Sequence, residues 1–216
     1  MPKFPEPPDI HALRAIGPDV FTLPPATPLA RVFFRGGDHP VTWDEFRFWG
    51  PGQSRFDHHL PDPQGRPATG PRGIFYAAGA GGAGALATCL AEVFQETRII
   101  DSTDRAPWFV VFRTARALRL LDLRGVWPTR AGASAAISSG SKARARRWSR
   151  AIHAAWPDLD GILYPSSMGG NADAAALYDS ARTALPAAPD FHRALADPAL
   201  SRPLLAASAA INYGLM

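Results

Sequence analysis

Three polar side chains interrupt apolar runs that read as strands: Arg31 in "LARVFF", Tyr76 in "GIFYAA" and Ser166 at the end of "GILYPSS". A fourth, Glu92, stands mid-way along the helical stretch "LATCLAEVFQE", on the side of Thr88 and beside an apolar stripe of Leu86, Leu90, Val93 and Phe94. An arginine inside a strand loses hydration, so Arg31 calls for a carboxylate or an anion, and a bound phosphate would serve. Glu92 is either a border carboxylate reaching solvent or a buried one held by a partner. Its position on the helix leaves both open.

Other motifs compete for the same segment. "GIFYAAGAGGAG" carries Gly79, Gly81 and Gly84 in the G-x-G-x-x-G pattern between a strand and a helix, with Asp101 further on, as in a dinucleotide-binding βαβ unit. The alternative is a plain loop before a helix, whose free N–H groups face an anion all the same. His58 and His59 suggest a metal, but neighbours in extended chain point apart and no further ligands are spaced to help. Cys89 is the single cysteine; it excludes a disulfide or zinc-ribbon framework and reads as a small buried hydrophobe.

The elements that must carry these residues follow from periodicity and punctuation. Asp9 can cap a short helix running to Ile16. "LARVFF" is a strand, "TWDEFRFWG" has no clear form, and residues 51–73 read as a long loop, a length that points to a function. "GIFYAA" is a strand and "GALATCLAEVFQE" a helix. "WFVVFRT" and "LRLLDL" read as strands so close in the chain that they are expected to be antiparallel neighbours. "RAGASAAISSG" and "SKARARRWSRAIHAAW" are helical, "DGILYPSS" is a strand, and the tail is expected to form one or two short helices. A doubly wound sheet needs repeated strand–helix alternation, and only the first pair here behaves so.

The chain has 216 residues, 46% of them hydrophobic and 19% charged, which suits a single globular domain. Residues 1–28 are a proline-rich N-terminal extension and residues 29–216 the domain. No apolar run reaches the ~20 residues that span a bilayer. "MPKFPEPPDIHAL" is unlike a secretory signal, so a cytoplasmic protein is expected. The net charge is +4, and all but two of the 23 basic residues are arginine. The one basic cluster, Lys142, Arg144, Arg146, Arg147 and Arg150, lies on a helix with Trp148 and Ile152 turned inward. It is either a solvated face or a docking patch for an acidic partner or phosphate.

Taken in order, five blocks resemble the RES-domain family, toxins of bacterial toxin–antitoxin pairs. They are Arg31-Val32, Ser54-Arg55-Phe56 continued as Asp57-His58-His59, "FYAA" with Tyr76, "CLAEVF" with Glu92, and "DGILYPSS" with Ser166. "RFDHH" and "YPSSM" look most like the ParT-type toxins. Ser54 stands where many members have Gly, and "FDHH" replaces the commoner F-N-P. The resemblance implies an α+β, ADP-ribosyltransferase-like fold, a split antiparallel sheet with flanking helices. It also implies NAD consumed as a substrate, with no metal, by cleavage of the nicotinamide–ribose bond. The ADP-ribose then goes to a protein, an enzyme of nucleotide biosynthesis in the ParT type, or to water or phosphate.

The same resemblance assigns Glu92 to the developing positive charge on the ribose, with Arg31 at the pyrophosphate or ribose diol and Tyr76 against the nicotinamide. Ser166 would hold the ribose or Glu92, Arg55 would reach the phosphates, Phe56 would cover the site, and His58 would hydrogen-bond NAD or the acceptor. Partners implied are a cognate antitoxin with a helix-turn-helix domain and the protein acceptor. Neither a membrane nor direct nucleic-acid binding is expected.

Overall fold

The computed structural model describes residues 3–81 and 84–216; Gly82 and Ala83, inside the glycine-rich motif, lie outside the described residues. The chain opens with helix α1 (Ile10–Ile16), where the Asp9 carboxylate accepts the Ala12 N–H at 2.8 Å as expected of its cap. Strands β1 (Val20–Leu23), β2 (Pro28–Phe34), β3 (Arg47–Gly50) and β4 (Ala68–Gly79) follow, then helix α2 (Ala85–Val93). Next come β5 (Ile99–Ile100), β6 (Pro107–Arg113) and β7 (Leu118–Asp122), and the helices α3 (Trp127–Arg130), α4 (Ala136–Ser139) and α5 (Lys142–Ala155). The chain closes with β8 (Gly161–Pro165), β9 (Asp173–Tyr178), β10 (Phe191–Ala194), α6 (Ser201–Ile211) and β11 (Gly214–Leu215).

The fold is α+β, a large sheet flanked by helices. Its strand order is β1-β7-β8-β9-β4-β2-β6-β10, with β3 added on β4, and β5 pairs β11 in a separate ribbon. The pairs of the large sheet are antiparallel except β7 with β8. β4 lies between β9 and β2, antiparallel to both, so the strand before the glycine-rich loop belongs to no βαβ unit.

β6 and β7 are not neighbours, contrary to the expectation from their short connection. Each already has both edges filled, β6 by β2 and β10, β7 by β1 and β8. They meet face to face instead. Leu118 and Leu120 of β7 and Phe112 of β6 enter one buried cluster with Leu29, Phe75, Leu163 and Leu177, so the sheet curls around its own interior and residues 114–117 cross between the halves. Burying that many large apolar groups outweighs the local advantage of a hairpin.

Two further expectations change. β4 begins at Ala68, so the supposed loop of residues 51–73 is shorter, and its backbone groups are used in pairing with β3. Part of the tail, β10, is a strand on β6, held by the His192 ring 4.7 Å from the Trp108 ring. The proline-rich N-terminal stretch contributes Phe4 and Leu13 to the core formed by α5 and β8, and β1 to the sheet. Among the described residues no helix is long and apolar enough to cross a membrane.

Candidate functional site

β2, β4 and α2 enclose a cavity of about 580 Å³ whose walls include Arg31, Arg47, Arg55, Tyr76, Glu92 and Tyr164. That size is usual for a small-molecule site, about 300–1,000 Å³. Five cations line it, Arg31, Arg47, Arg55, Arg105 and Lys142, against the carboxylates Glu92 and Glu96, so an anionic ligand is favoured.

Glu92 is the partnered carboxylate of the two possibilities. Its Oε1 accepts a 2.5 Å hydrogen bond from Ser166 Oγ, across 74 residues of sequence. Ser166 is fully buried, and its Oγ in turn accepts the Gly169 N–H at 2.8 Å and the Met168 N–H at 3.3 Å. With its lone pairs occupied by two amides, the hydroxyl has its proton directed at Glu92. Gly169 is needed here for space: a Cβ on it would lie 2.7 Å from Thr88 Cγ2 and 3.0 Å from Ser166 Oγ. α2 presents Glu92 because Thr88, Cys89, Leu90 and Ala91 form its buried side. Val93, expected inward, is 37% exposed and lines the cavity instead. Cys89 is buried as expected, and burial pushes its thiol up to about 12.

Among the described residues Arg31 pairs with no carboxylate. Its Nη1 donates to the carbonyls of Trp43 (3.2 Å) and Glu45 (3.0 Å), and the guanidinium lies 4.2 Å from the centre of the Phe75 ring. Burial, opposed by the Glu45 charge, lowers its pKa to about 10. All its hydrogen bonds to described residues leave from Nη1, so Nε and Nη2 remain for a ligand. Arg55 donates to the Gly140 carbonyl at 2.6 Å; burial lowers its pKa and the nearby Glu92 charge raises it.

Three residues of this site were missed in the sequence. Arg47, in the segment of uncertain form, reaches the cavity wall from β3 and pairs with Asp57 at 2.5 Å. Asp57, with no exposure, also accepts the Gly52 N–H at 2.6 Å and the Tyr76 hydroxyl at 2.9 Å. Tyr164 stands beside Glu92 in the cavity wall, its pKa raised by burial and then by that charge. An Arg in an aromatic strand and a Tyr two places before Ser166 were the available signals.

Two expected site residues lie elsewhere. Phe56 does not cover the cavity; it is fully buried with its ring 4.6 Å from that of Tyr164, because its N–H and C=O are tied to the Tyr76 hydroxyl and Ser149 Oγ. His58 is likewise fully buried, facing His153 and Tyr178 at ring distances of 4.6 and 4.5 Å, with both ring nitrogens unpartnered. It is thereby kept out of reach of a cavity ligand. Asp101, the supposed ribose ligand of the glycine-rich motif, caps its own turn through the N–H groups of Thr103 and Asp104. Among the described residues no group of three or more His, Cys, Asp and Glu is placed to hold a metal ion.

The buried histidine has a consequence for stability. Burial, and then the proximity of His153, His59 and Arg72, lowers the His58 pKa from 6.5 to about 2. The unfolded chain therefore binds more protons below pH 6.5, and stability is lost as pH falls from there. Urea denaturation at pH 7.5 and pH 5.5 is expected to show a decrease of up to about 1.4 kcal/mol per pH unit for each such histidine. The decrease should shrink in His58→Phe, and a pH-independent wild type would contradict the neutral buried ring.

The family model described as RES domain matches residues 28–199, most of the chain. The chain belongs to the RES domain family. Among solved structures, this RES domain is similar in fold to a chain of the crystal structure of the M. tuberculosis MbcT–MbcA toxin–antitoxin complex. The TM-score is 0.57 at 17% identity, covering 91% of this chain and 96% of the other, which supports the fold. The comparison with curated proteins finds no match. The RES blocks Arg31, Tyr76 and Glu92, distant in sequence, thus meet at one cavity with Ser166 buried behind Glu92, while the RES-like "RFDHH" loop sends only Arg55 into it.

Proposed function

We propose that this RES domain is an NAD-consuming toxin of a toxin–antitoxin pair, which cleaves the nicotinamide–ribose bond and transfers ADP-ribose to a protein. The observation that carries the reading is the Ser166–Glu92 hydrogen bond at a cavity otherwise rich in arginine. Cleavage builds an oxocarbenium-like charge on the ribose, while the nicotinamide leaves as a neutral molecule from a cationic bond and needs no acid. A carboxylate held in place stabilises that charge without reorganising. Ser166 keeps Glu92 in one orientation, aimed at the cavity. Arg31, Arg47 and Arg55 suit the pyrophosphate, and the rings of Tyr76 and Tyr164 suit the nicotinamide.

The family resemblance supports NAD as the substrate, and the MbcT–MbcA complex supports an antitoxin as partner. A helix-turn-helix domain in that antitoxin, an acceptor enzyme of nucleotide biosynthesis and a cytoplasmic setting belong to the same proposal. Purified protein with adenine-labelled NAD and a cell extract tests it. Label on a discrete protein, lost in Glu92→Ala, is the expected result. Rapid NAD loss without labelled protein would replace the transferase by a glycohydrolase or phosphorylase, and no Glu92-dependent loss of NAD would refute both.

Gly169→Ala provides a narrower check. Its methyl group must push Ser166 or Thr88 aside, so kcat for NAD cleavage is expected to fall about 10-fold or more, with KM less affected. Unchanged kcat would show that the Ser166 clamp on Glu92 is dispensable.

A further inference from the structure

The five cations on α5 divide into two flanks with different fates. Ala145, Trp148, Ser149, Ile152 and Ala155 form the buried side of the helix. On one flank Arg144 and Arg147 are neutralised by the N-terminal segment: both bond Glu6, and Arg144 also donates to the Phe4 carbonyl. On the other flank, four residues apart, stand Lys142, Arg146 and Arg150. Lys142 lines the cavity wall and, among the described residues, pairs only with an exposed Glu96, at 3.9 Å.

Among the described residues, Arg146 and Arg150 pair with no acid. The Arg146 Nη1 is buried without a hydrogen-bond partner. After burial, the charges acting on Arg150 are those of Arg147, Arg146 and Arg72, all positive. Arg72, from β4, extends the row; its Nη1 is bound to the His58 carbonyl at 2.9 Å, so its charge is held but not cancelled. Two carboxylates on neighbouring segments are engaged elsewhere, Asp57 with Arg47 and Asp179 beside His153 and the Gly73 N–H.

A row of cations without paired acids repels itself and sets up a positive field that an anionic partner would relieve. We propose that the track Lys142–Arg146–Arg150–Arg72 is a docking surface for an acidic polypeptide segment, leading to the mouth of the cavity. Successive cations on the helix are about 6 Å apart. Alternate residues of an extended peptide are about 6.6 Å apart, so acidic side chains at every second position follow the row. Single-stranded nucleic acid is disfavoured, because it also needs aromatic platforms, and beside α5 the rings of Trp127, Trp148 and Tyr178 are fully buried and that of Trp156 is packed partly buried against the same core. This proposal does not depend on the reaction performed in the cavity.

Fluorescence anisotropy with a labelled alternating Glu-Gly peptide of about eight residues, long enough to span the track, tests it. Arg146→Gln is expected to weaken binding about 10-fold and to flatten its salt dependence, the loss of one charge-assisted contact. Arg202→Gln, an equal loss of charge on exposed α6, is expected to leave binding within about twofold. Equal weakening by both would overturn the proposal, since only net charge would then matter. An oligothymidylate that binds more tightly than the peptide and is lost in Arg146→Gln would overturn the polypeptide partner in favour of nucleic acid. Arg150→Gln repeats the comparison independently should Arg146→Gln fail to fold.

Discussion

Glu92→Gln is expected to lower kcat for NAD cleavage by about 10²–10³-fold while leaving the fold and KM nearly unchanged. The amide has the same shape, and its oxygen can still accept the Ser166 hydroxyl, now bonded to Glu92 Oε1 at 2.5 Å. What disappears is a fixed negative charge whose counterpart, the positive charge on the ribose, develops only as the bond breaks, so the transition state is penalised more than the ground state. Ser166→Ala should cost less than Glu92→Gln, because the carboxylate stays and only its orientation is freed. Single-turnover assays on both variants decide this. A Glu92→Gln enzyme with more than half of wild-type kcat would remove Glu92 from the chemistry. The binding reading of the cavity, rich in arginine, would survive that result.

Asp57→Ala is expected to have the largest effect on stability, about 3 kcal/mol or more by chemical denaturation. Asp57 is fully buried and holds Arg47, the Gly52 N–H and the Tyr76 hydroxyl together. Removing it leaves a guanidinium, an amide and a phenol without their acceptor, and each unsatisfied buried group has its own cost. The variant is also expected to bind NAD poorly, because Arg47 and Tyr76 are both in the cavity wall. Asp57→Asn should be milder, keeping one acceptor oxygen. A loss below about 1 kcal/mol in Asp57→Ala would mean that water replaces the carboxylate and that the loop is not built around it.

Much of the site was readable from residue types. Arginine in a strand, glutamate beside an apolar helical stripe and serine at a strand end are each costly to place without a partner, and Arg31, Glu92 and Ser166 proved to be at or against the cavity. Periodicity placed α2 and α5, and the Asp9 cap was found where its spacing put it. Direction was harder. In "RFDHH" alternate side chains must part, but the local pattern does not say which of them meets solvent, core or cavity. Arg55 went to the cavity, Phe56 and His58 to the core, and Asp57 to a buried ion pair with a residue ten positions earlier.

Side-chain chemistry, helix periodicity and the RES blocks are local properties, and the amino-acid order alone carried them, including the misleading "GAGGAG". The pairing of β6 with β2 and β10 rather than β7, and the meeting of Glu92 with Ser166, depend on how the sheet closes around Phe75, Phe112, Leu120 and Leu177. That closure is set by the burial of side chains from six strands at once, a nonlocal term larger than any turn preference, so only the folded chain could decide it.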